Sequence, residues 1–493
     1  MLLLGIDIGT SSIKVSVVDA SNQQCIASYR YPEHQETAIS APHDGWAEQS
    51  PNMWWEHVQK AILGLNSLKS HNPLDIQAIG IAYQMHGLVV VDKSYDSFRD
   101  AIIWCDSRAV EIGNKAFTDL GEEAILSSHL NSPGNFTASK LAWIKDNEPE
   151  VYDKIYKVML PGDYIALKLT GSISTSISAL SEGVFWNFKD NELSETLINY
   201  FGFDPSFIPP VYPLFSEHGY VAKSVADRLG LKEGIPVSYK AGDQPNNALS
   251  LNVLQPGEVA ATAGTSGVIY GVSDQLIYDR LSRINTFAHV NYEKEDPKLG
   301  VLLCINGTGI LNRWVKDQLG AGLDYPAINQ LAAEVPLGSG GLKILPFGNG
   351  AERMLENKVL GAQLVNLDLN KHYHKHVFRA CQEGIAFAFR YGLDIMRENG
   401  MKPQVIRAGK ANLFLSELFT EIFVNATNVP IELYDHDGSV GAAIGAGIGA
   451  GIFKSPEEAF HLSKPIKIIE PSATIDYEEI YGEWLAILHK QIG

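Results

Sequence analysis

Residues 5–15 read GIDIGTSSIKV, and this short stretch is the most informative about the fold. An apolar run that ends at Ile8 is followed by Gly9, Thr10 and Ser11, after which apolar residues alternate again. A strand, a tight turn and a second strand predict a β-hairpin whose tip carries small hydroxyl side chains.

The same pattern recurs about half a chain length later. Gly264, Thr265 and Ser266 again lie between two apolar runs. A repeat at that distance indicates a duplicated domain, because solenoid repeats have periods of about 20–50 residues. We therefore predict two domains, residues 1–250 and residues 251–493.

Strand and helix signals alternate along the rest of the chain, which favours an α/β fold. Residues 76–82 predict a buried strand that ends at Gln-Met-His-Gly, and residues 237–241 predict another that ends at Gly-Asp. In the second half, residues 374–399 predict a long helix. The sequence VGAAIGAGIGAG, from residue 440, predicts a helix whose glycines allow close packing.

The composition excludes several classes of protein. The chain has 493 residues with 39 Lys and Arg against 57 Asp and Glu, a net charge of −18 at pH 7. Hydrophobic residues make up 45%, which is typical of a globular protein and excludes an intrinsically disordered one. We expect no nucleic-acid partner, because phosphate binding needs clustered Lys and Arg and no such run occurs.

The four cysteines lie far apart in the sequence and form no metal-binding spacing. They predict reduced thiols in a cytoplasmic protein. The N-terminal residues lack the basic start of a signal peptide. The longest uncharged stretch, residues 439–453, is shorter than the about 20 apolar residues of a membrane span, so we expect no membrane partner.

Two Gly-Thr-Ser tips that face each other across a cleft would offer backbone N–H groups and hydroxyls to a phosphate. The sequence contains no GxxxxGK[ST] motif, so this is not a P-loop. Asp7 lies in an apolar strand, where it is either a hydrogen-bonded buried carboxylate or one that faces a magnesium ion through water. Asp243 is either a helix cap or the base that accepts a hydroxyl proton in phosphoryl transfer.

Other candidate side chains follow predicted strands. His86 is either a core histidine or a ligand of the substrate. Trp104, Asp106 and Arg108 alternate, so they could line one wall of a cleft, or form a surface salt bridge with a core tryptophan.

Ten motifs then identify a resemblance over nearly the whole chain. They are GIDIGTSSIKV at 5–15, DGWAEQSPNMWWE at 44–56, YQMHGLVVVD at 83–92, IIWCDSRA at 102–109, FTASKLAWIKDNEPE at 136–150, PGDYIALKLTG at 161–171, AGDQPNN at 241–247, ATAGTSGVIY at 261–270, INGTGILNRW at 305–314 and DGSVGAAIGAG at 437–447. The sequence resembles the FGGY carbohydrate kinases, within the actin/hexokinase/heat-shock ATPase superfamily. In that family it is most similar to the xylulokinases.

The resemblance implies two duplicated ribonuclease-H-like domains around a nucleotide cleft, with ATP and Mg²⁺ between them. It makes Asp243 the catalytic base and Asp7 the carboxylate near the metal. The positions that match the nucleotide site are Gly9, Thr10, Ser11, Lys14, Gly264, Thr265, Gly309, Arg313, Gly409 and Asn412. The positions that match the sugar site are Met85, His86, Trp104, Asp106 and Asp243.

The Gln-Met-His-Gly loop resembles that of xylulokinases, whereas glycerol kinases have Arg-Glu there. The resemblance therefore implies phosphorylation of D-xylulose to D-xylulose 5-phosphate, with a small-molecule sugar as partner, and is compatible with a homodimer. Residues 407–412 depart from the family's three-glycine loop, and the Gly-Glu-Arg loop at 346–353 is one residue longer than usual. Alternatives are the same chemistry on ribulose, fuculose, gluconate or glycerol, a silent sugar- or nucleotide-binding regulator, and a chaperone-type ATPase.

Overall fold

The computed structural model describes residues 1–435 and 437–493. These residues form twenty strands: β1 (Leu2–Ile8), β2 (Ile13–Asp19), β3 (Gln24–Tyr31), β4 (Glu48–Gln49), β5 (Ile76–Tyr83), β6 (Val89–Val91), β7 (Ala101–Ile102), β8 (Lys157–Met159), β9 (Trp186–Asn187), β10 (Glu192–Leu193), β11 (Val237–Gly242), β12 (Glu258–Ala263), β13 (Gly267–Ser273), β14 (Asn285–Ala288), β15 (Leu299–Ile305), β16 (Lys343–Leu345), β17 (Gln363–Val365), β18 (Val405–Gly409), β19 (Ile431–Tyr434) and β20 (Lys467–Ile469).

The same residues form seventeen α-helices: α1 (Pro51–Ser67), α2 (Val110–Leu120), α3 (Glu122–His129), α4 (Thr137–Asn147), α5 (Pro149–Tyr152), α6 (Pro161–Thr170), α7 (Ile177–Glu182), α8 (Glu195–Phe201), α9 (Lys223–Leu229), α10 (Asp243–Ser250), α11 (Gly309–Leu319), α12 (Tyr325–Ala333), α13 (His374–Glu398), α14 (Glu417–Thr427), α15 (Gly438–Gly449), α16 (Pro456–Phe460) and α17 (Glu478–Ile492).

Two sheets dominate the structure, and they share one arrangement. In the first, of order β11-β5-β1-β2-β3, strand β1 pairs antiparallel with β2 and parallel with β5. In the second, of order β14-β15-β13-β12-β18-β19-β20, strand β12 pairs antiparallel with β13 and parallel with β18. The predicted α/β fold and its duplication are confirmed.

We call the part built on the first sheet the N-lobe and the part built on the second the C-lobe. Helix α1 begins at the N-cap Ser50, whose side chain accepts the N–H of Met53, and it buries Trp54, Val58 and Ile62 beneath β1–β3. In the C-lobe, the 25-residue helix α13 is buried among the strands and α14. The predicted helix at residues 374–399 is thus confirmed to within one residue.

Helix α15 comes from the second half of the chain but packs on the sheet of the first half. A Cβ atom added at Gly5 of β1 would lie 1.8 Å from the carbonyl oxygen of Ser439, and one added at Gly80 of β5 would lie 1.9 Å from that of Ala442. Glycine in the strands therefore permits direct backbone contact between helix and sheet. The predicted close packing of the glycine-rich helix is confirmed, whereas the domain boundary near residue 250 stays a prediction.

Two further observations concern the surface and the thiols. No helix within residues 1–435 and 437–493 has the length and apolar character needed to cross a bilayer. All four cysteines are free thiols, as predicted.

Gly5→Ala tests the helix–sheet contact. The added methyl group would force β1 and α15 apart, and overpacking of this kind costs about 1–3 kcal/mol or more. We expect a lower midpoint of thermal unfolding. The matched control is Gly482→Ala in α17, where nothing lies within 4 Å of the added Cβ and higher helix propensity should add up to about 1 kcal/mol. An unchanged midpoint for Gly5→Ala would contradict the packing described.

Candidate active site

A cavity of about 500 Å³ lies where loops of the two lobes meet, and we call it the cleft cavity. The N-lobe supplies loops that follow the carboxyl ends of β5 and β11, the edge at which open α/β sheets bind ligands. The C-lobe supplies the tip between β12 and β13 and two further loops. The cleft cavity is lined by residues of both lobes: Met85, His86, Trp104, Asn135, Phe136, Asp243, Gln244, Ser266, Val268, Asn285, Leu302, Cys304, Asn306, Ala351, Arg353 and Asn357.

His86 is held in a left-handed backbone conformation, with φ at +60°. Its N–H donates to Oε2 of Glu182 at 3.3 Å, and its carbonyl accepts Nζ of Lys140 at 2.8 Å. The ring nitrogen Nδ1 lies 3.2 Å from the carbonyl oxygen of Glu182. A carbonyl can only accept, so we assign the proton to Nδ1, which leaves Nε2 as an acceptor.

Burial lowers the pKa of His86 to about 3, and the charges of Lys140 and Arg353 add to this effect. The imidazole is therefore neutral at pH 7. A neutral ring with a fixed tautomer offers one acceptor nitrogen to a hydroxyl group and carries no charge of its own.

Glu182 and Lys140 support this loop from beneath, and the sequence analysis missed both roles. Glu182 is fully buried, and Oε1 accepts the hydroxyl of Tyr83 at 2.9 Å. Burial raises its pKa well above the ordinary value. Lys140 is fully buried as well and donates to the carbonyls of His86 and Ile103, at 2.8 and 3.0 Å, which joins two loops beside the cavity.

Asp243 is the first residue of α10 and lines the cleft cavity. Burial raises its pKa to about 7, and the neighbouring charge of Asp7 acts in the same direction. Burial also raises the pKa of Asp7 to about 6, with Asp437 adding to the shift and Lys14 opposing it. The two carboxylates therefore lie close enough to repel each other, in surroundings that solvate charge poorly.

Asp437 is a third carboxylate of this cluster, and the sequence analysis did not select it. It caps α15, with Oδ1 accepting the N–H groups of Ser439 and Val440 at 3.0 and 3.2 Å, and it forms an ion pair with Lys14. Burial acts to raise its pKa, but the hydrogen bond and charge of Lys14 outweigh burial and the pKa lies below the ordinary value. Asp-Gly-Ser before a helical run is an N-cap signal that could have identified the residue.

The first hairpin tip contacts the sugar-site candidates. Thr10 donates its hydroxyl proton to Oε1 of Gln84 at 3.2 Å and accepts the indole N–H of Trp104 at 3.0 Å. Trp104 is itself half exposed. Gly9 and Ser11 occupy the same tip, which closes through a hydrogen bond from the N–H of Gly9.

The second tip is fixed against the start of α11. The carbonyl of Gly264 accepts the N–H of Gly309 at 2.9 Å and the hydroxyl of Thr308 at 3.1 Å, and the carbonyl of Thr265 accepts the N–H of Ile310 at 3.1 Å. The tip and the helix therefore form one rigid unit.

A second cavity, of about 520 Å³, lies beside this tip within the C-lobe, and we call it the C-lobe cavity. Five of the predicted nucleotide residues line it: Gly264, Thr265, Gly309, Arg313 and Asn412. The rest of its wall consists of apolar side chains, two amides and a serine hydroxyl: Ala263, Asn312, Tyr325, Pro326, Asn329, Leu413, Leu415 and Ser416.

Seven predicted site residues line neither cavity: Asp7, Gly9, Thr10, Ser11, Lys14, Asp106 and Gly409. The first five lie in the β1–β2 hairpin, and Gly409 ends β18. Asp106 is fully buried, and its carboxylate accepts the N–H of Ala47 at 2.6 Å and pairs with Arg108 at 2.7 Å. The pairing of Asp106 with Arg108 is as the salt-bridge alternative predicted, but the pair is buried rather than on the surface, and Trp104 is half exposed rather than a core residue. The proposed contact of Asp106 with a sugar stays a prediction.

The carboxylates near the tips have the oxygen chemistry that Mg²⁺ prefers. Within the described residues, however, no three His, Cys, Asp or Glu side chains are grouped so that they could hold a metal ion alone. A magnesium ion would therefore need further oxygen ligands, such as phosphates and water, which is its usual mode of binding.

Comparisons with known proteins show which family and fold this chain shares. A model of the N-terminal domain of the FGGY family of carbohydrate kinases matches residues 2–250, and a model of the C-terminal domain matches residues 259–450. The chain is 30% identical over 497 residues to a xylulose kinase of Staphylococcus epidermidis, covering 99% of this chain and 96% of the relative. It is 29% identical over 463 residues to a xylulose kinase of Bacillus subtilis, covering 92% and 90%. A crystal structure of xylulose kinase from Rhodospirillum rubrum has a TM-score of 0.88 at 25% identity, covering 99% of both chains.

The raised pKa of Asp243 predicts a gain in stability when its charge is removed. The folded state binds this proton more tightly than the unfolded state, so ionisation destabilises the fold increasingly between pH 3.8 and about 7. At pH 8 we expect Asp243→Asn to unfold at a higher temperature than the wild type, with a free energy of unfolding larger by on the order of 2–4 kcal/mol. The gain should be smaller at pH 5, and the exposed Asp146→Asn should show no such trend. The same gain of Asp243→Asn over the wild type at both pH values would contradict the burial of this charge.

Proposed function

The chain belongs to the FGGY family of carbohydrate kinases, and we propose on this basis that it transfers the γ-phosphoryl group of ATP to O5 of D-xylulose, with Asp243 as base. Family membership makes it an ATP-dependent sugar kinase. The observation that carries the finer proposal is that Asp243 shares the cleft cavity with Ser266, the last residue of the second Gly-Thr-Ser tip.

Asp243 has the chemistry that a base for this step needs. A carboxylate whose pKa lies near the working pH is ionised often enough to act and basic enough to accept a proton. The pKa of about 7 satisfies this condition. As O5 attacks the γ-phosphorus, Asp243 would accept the hydroxyl proton and the bond to ADP would break.

Nucleotide binding is assigned to the C-lobe cavity. Its apolar part suits a base and a ribose, and the unit formed by the Gly264–Thr265 tip and α11 lies beside it. The dipole of a helix N-terminus attracts phosphate. The γ-phosphoryl group would then lie between the tip and Asp243.

Mg²⁺ would be held at Asp7 together with the phosphates, and when bound it would neutralise charge on the group in transfer. The mutual repulsion of Asp7 and Asp243 fits a cation at this place. The ion pair of Lys14 with Asp437 would keep the third carboxylate out of competition for the metal.

The sugar would lie among Met85, His86 and Trp104. His86 would accept a hydrogen bond from a sugar hydroxyl at Nε2, and the exposed indole of Trp104 would cover an apolar face of the sugar. The two compared relatives are named xylulose kinases, which supports a ketopentose over glycerol.

A substrate panel tests this choice. ADP release should be faster with D-xylulose than with D-ribulose, L-ribulose, L-fuculose, gluconate or glycerol. A faster rate with another sugar would keep the kinase and reassign the substrate.

Replacement of the base should abolish turnover without loss of binding. We expect Asp243→Asn to lower kcat by at least about 100-fold while the fold and the dissociation constant for ATP are retained. In the wild type, kcat/KM should fall about tenfold per pH unit below pH 7, because protonated Asp243 cannot accept a proton. Near-normal turnover of Asp243→Asn, or a profile that is flat down to pH 5, would remove Asp243 as base.

Loss of the imidazole should affect sugar binding more than chemistry. We expect His86→Ala to raise the KM for D-xylulose roughly tenfold, the cost of one hydrogen bond of about 1.4 kcal/mol, with a smaller change in kcat. The exposed His34→Ala serves as control and should match the wild type. An unchanged KM in His86→Ala would mean that the sugar lies elsewhere.

A further inference from the structure

Arg353 lines the cleft cavity from the C-lobe, and neither the family resemblance nor the sequence analysis gave it a role. It begins a single turn of 3₁₀-helix, residues Arg353–Leu355, whose other two side chains, Met354 and Leu355, are buried in the C-lobe core. The backbone is also closed by hydrogen bonds from Glu352 to Lys358 and from Asn357 to Glu352, at 3.1 and 2.9 Å. The guanidinium is thus carried on a rigid support.

Within the described part of the chain, this guanidinium has no carboxylate partner. The neighbouring Glu352 does not serve as one. It is fully buried and turned away, with its oxygens accepting the N–H groups of Asn306 and Gly307 at 2.9 and 3.0 Å. An arginine that is partly buried and unpaired costs free energy unless a ligand supplies acceptors.

The position of Arg353 within the cavity indicates which ligand it meets. Burial lowers the pKa of His86, and the charge of Arg353 lowers it further. Burial raises the pKa of Cys304, and the charge of Arg353 opposes that rise. Arg353, His86 and Cys304 all line the cleft cavity, so the guanidinium and the imidazole face the same space from opposite lobes.

We infer that Arg353 determines substrate specificity from the C-lobe. It donates hydrogen bonds to a substrate oxygen that can only accept them, the carbonyl of a ketose or the carboxylate of an aldonate. This inference rests on the proposed function and narrows it. Arginine has five N–H donors and no acceptor, whereas His86 presents an acceptor. The two lobes then offer opposite hydrogen-bonding groups within one cavity. An alditol, which has only hydroxyls, leaves the arginine without its best partner.

Sites built to hydrogen-bond a particular oxygen reject analogues that lack it more strongly than apolar pockets do. The arginine and the histidine lie on different lobes, so a substrate that satisfies both also bridges them. A ketose would thereby favour closure of the lobes over Asp243, whereas an alditol would not.

The test compares D-xylulose, D-gluconate and xylitol as substrates for the wild type, Arg353→Met and Arg353→Lys. For the wild type we expect kcat/KM for D-xylulose to exceed that for xylitol at least about 100-fold. Arg353→Met should lower the value for D-xylulose about 100-fold, as expected for loss of a charge-assisted hydrogen bond, and that for xylitol less than threefold. Arg353→Lys should be intermediate, because lysine keeps the charge but not the planar fork.

Lys358→Met is the matched control, because it removes a cation of the same loop that is exposed and hydrogen-bonded outside the cavity, to the carbonyl of Ile492. It should behave as the wild type with all three substrates. An equal loss with D-xylulose and xylitol in Arg353→Met would place the arginine on the transferred phosphoryl group or on loop structure, and would overturn the inference. No loss with any substrate would overturn it as well.

Calorimetric binding of the three sugars without nucleotide separates this inference from the proposed function. A wild type that prefers gluconate, with the preference lost in Arg353→Met, would support the inference and reassign the substrate. A wild type that binds D-xylulose in an Arg353-dependent manner without turnover would support the inference and refute the proposed reaction. A wild type that binds none of the three sugars would refute both.

Discussion

The backbone contact of helix α15 with strands β1 and β5 determines where the cleft can form. Gly5 and Gly80 let the helix lie directly on the sheet, and the helix then begins beside the carboxyl end of β1. A Cβ atom at Gly438 would lie 2.5 Å from Oδ2 of Asp7, so the start of the helix and the carboxylate of Asp7 are in contact. Because α15 belongs to the second half of the chain, this one contact also ties the C-terminal sequence to the N-lobe.

The charges of the site follow from that geometry. Three carboxylates, Asp7, Asp243 and Asp437, meet where the helix reaches the strand ends. Only at Asp437 do the compensating groups, Lys14 and the helix N-terminus, outweigh burial, so that its pKa is lowered. The other two have raised pKa values because nothing in the protein offsets their burial to the same extent.

Local signals were sufficient to predict much of this architecture. The two Gly-Thr-Ser hairpins and the long helix α13 depend on turn chemistry and periodicity, which act over a few residues. The ion pair of Lys14 with Asp437 joins residues 423 positions apart, and no local pattern marks such a pair. The duplicated hairpins indicated the cleft, but the sequence did not indicate which side chains face it.

Asp106 was predicted to face the cleft and does not, whereas Arg353 was not selected and lines it. Asp106 follows a strand within a family motif, yet four N–H donors, one from Ala47 and three from Arg108, surround its carboxylate, and it does not line the cavity. Arg353 stands beside a glutamate in the sequence, where a local salt bridge would be the ordinary expectation. The structure turns Glu352 towards the backbone of residues 306–307 and leaves the arginine facing the cavity.

Buried side chains fix the backbone of the loop that carries His86. His86 has an unfavourable positive φ, which costs about 1 kcal/mol or more, and buried Glu182 and Lys140 hold it from both sides of the peptide. In the proposed mode of binding, the N-lobe would present the acceptor of His86 and the C-lobe the donor of Arg353, so neither wall would need to reorganise internally when a sugar binds. The free energy of sugar binding would then act mainly on the angle between the lobes, and closure would bring the second tip towards Asp243 and exclude water from the reacting groups.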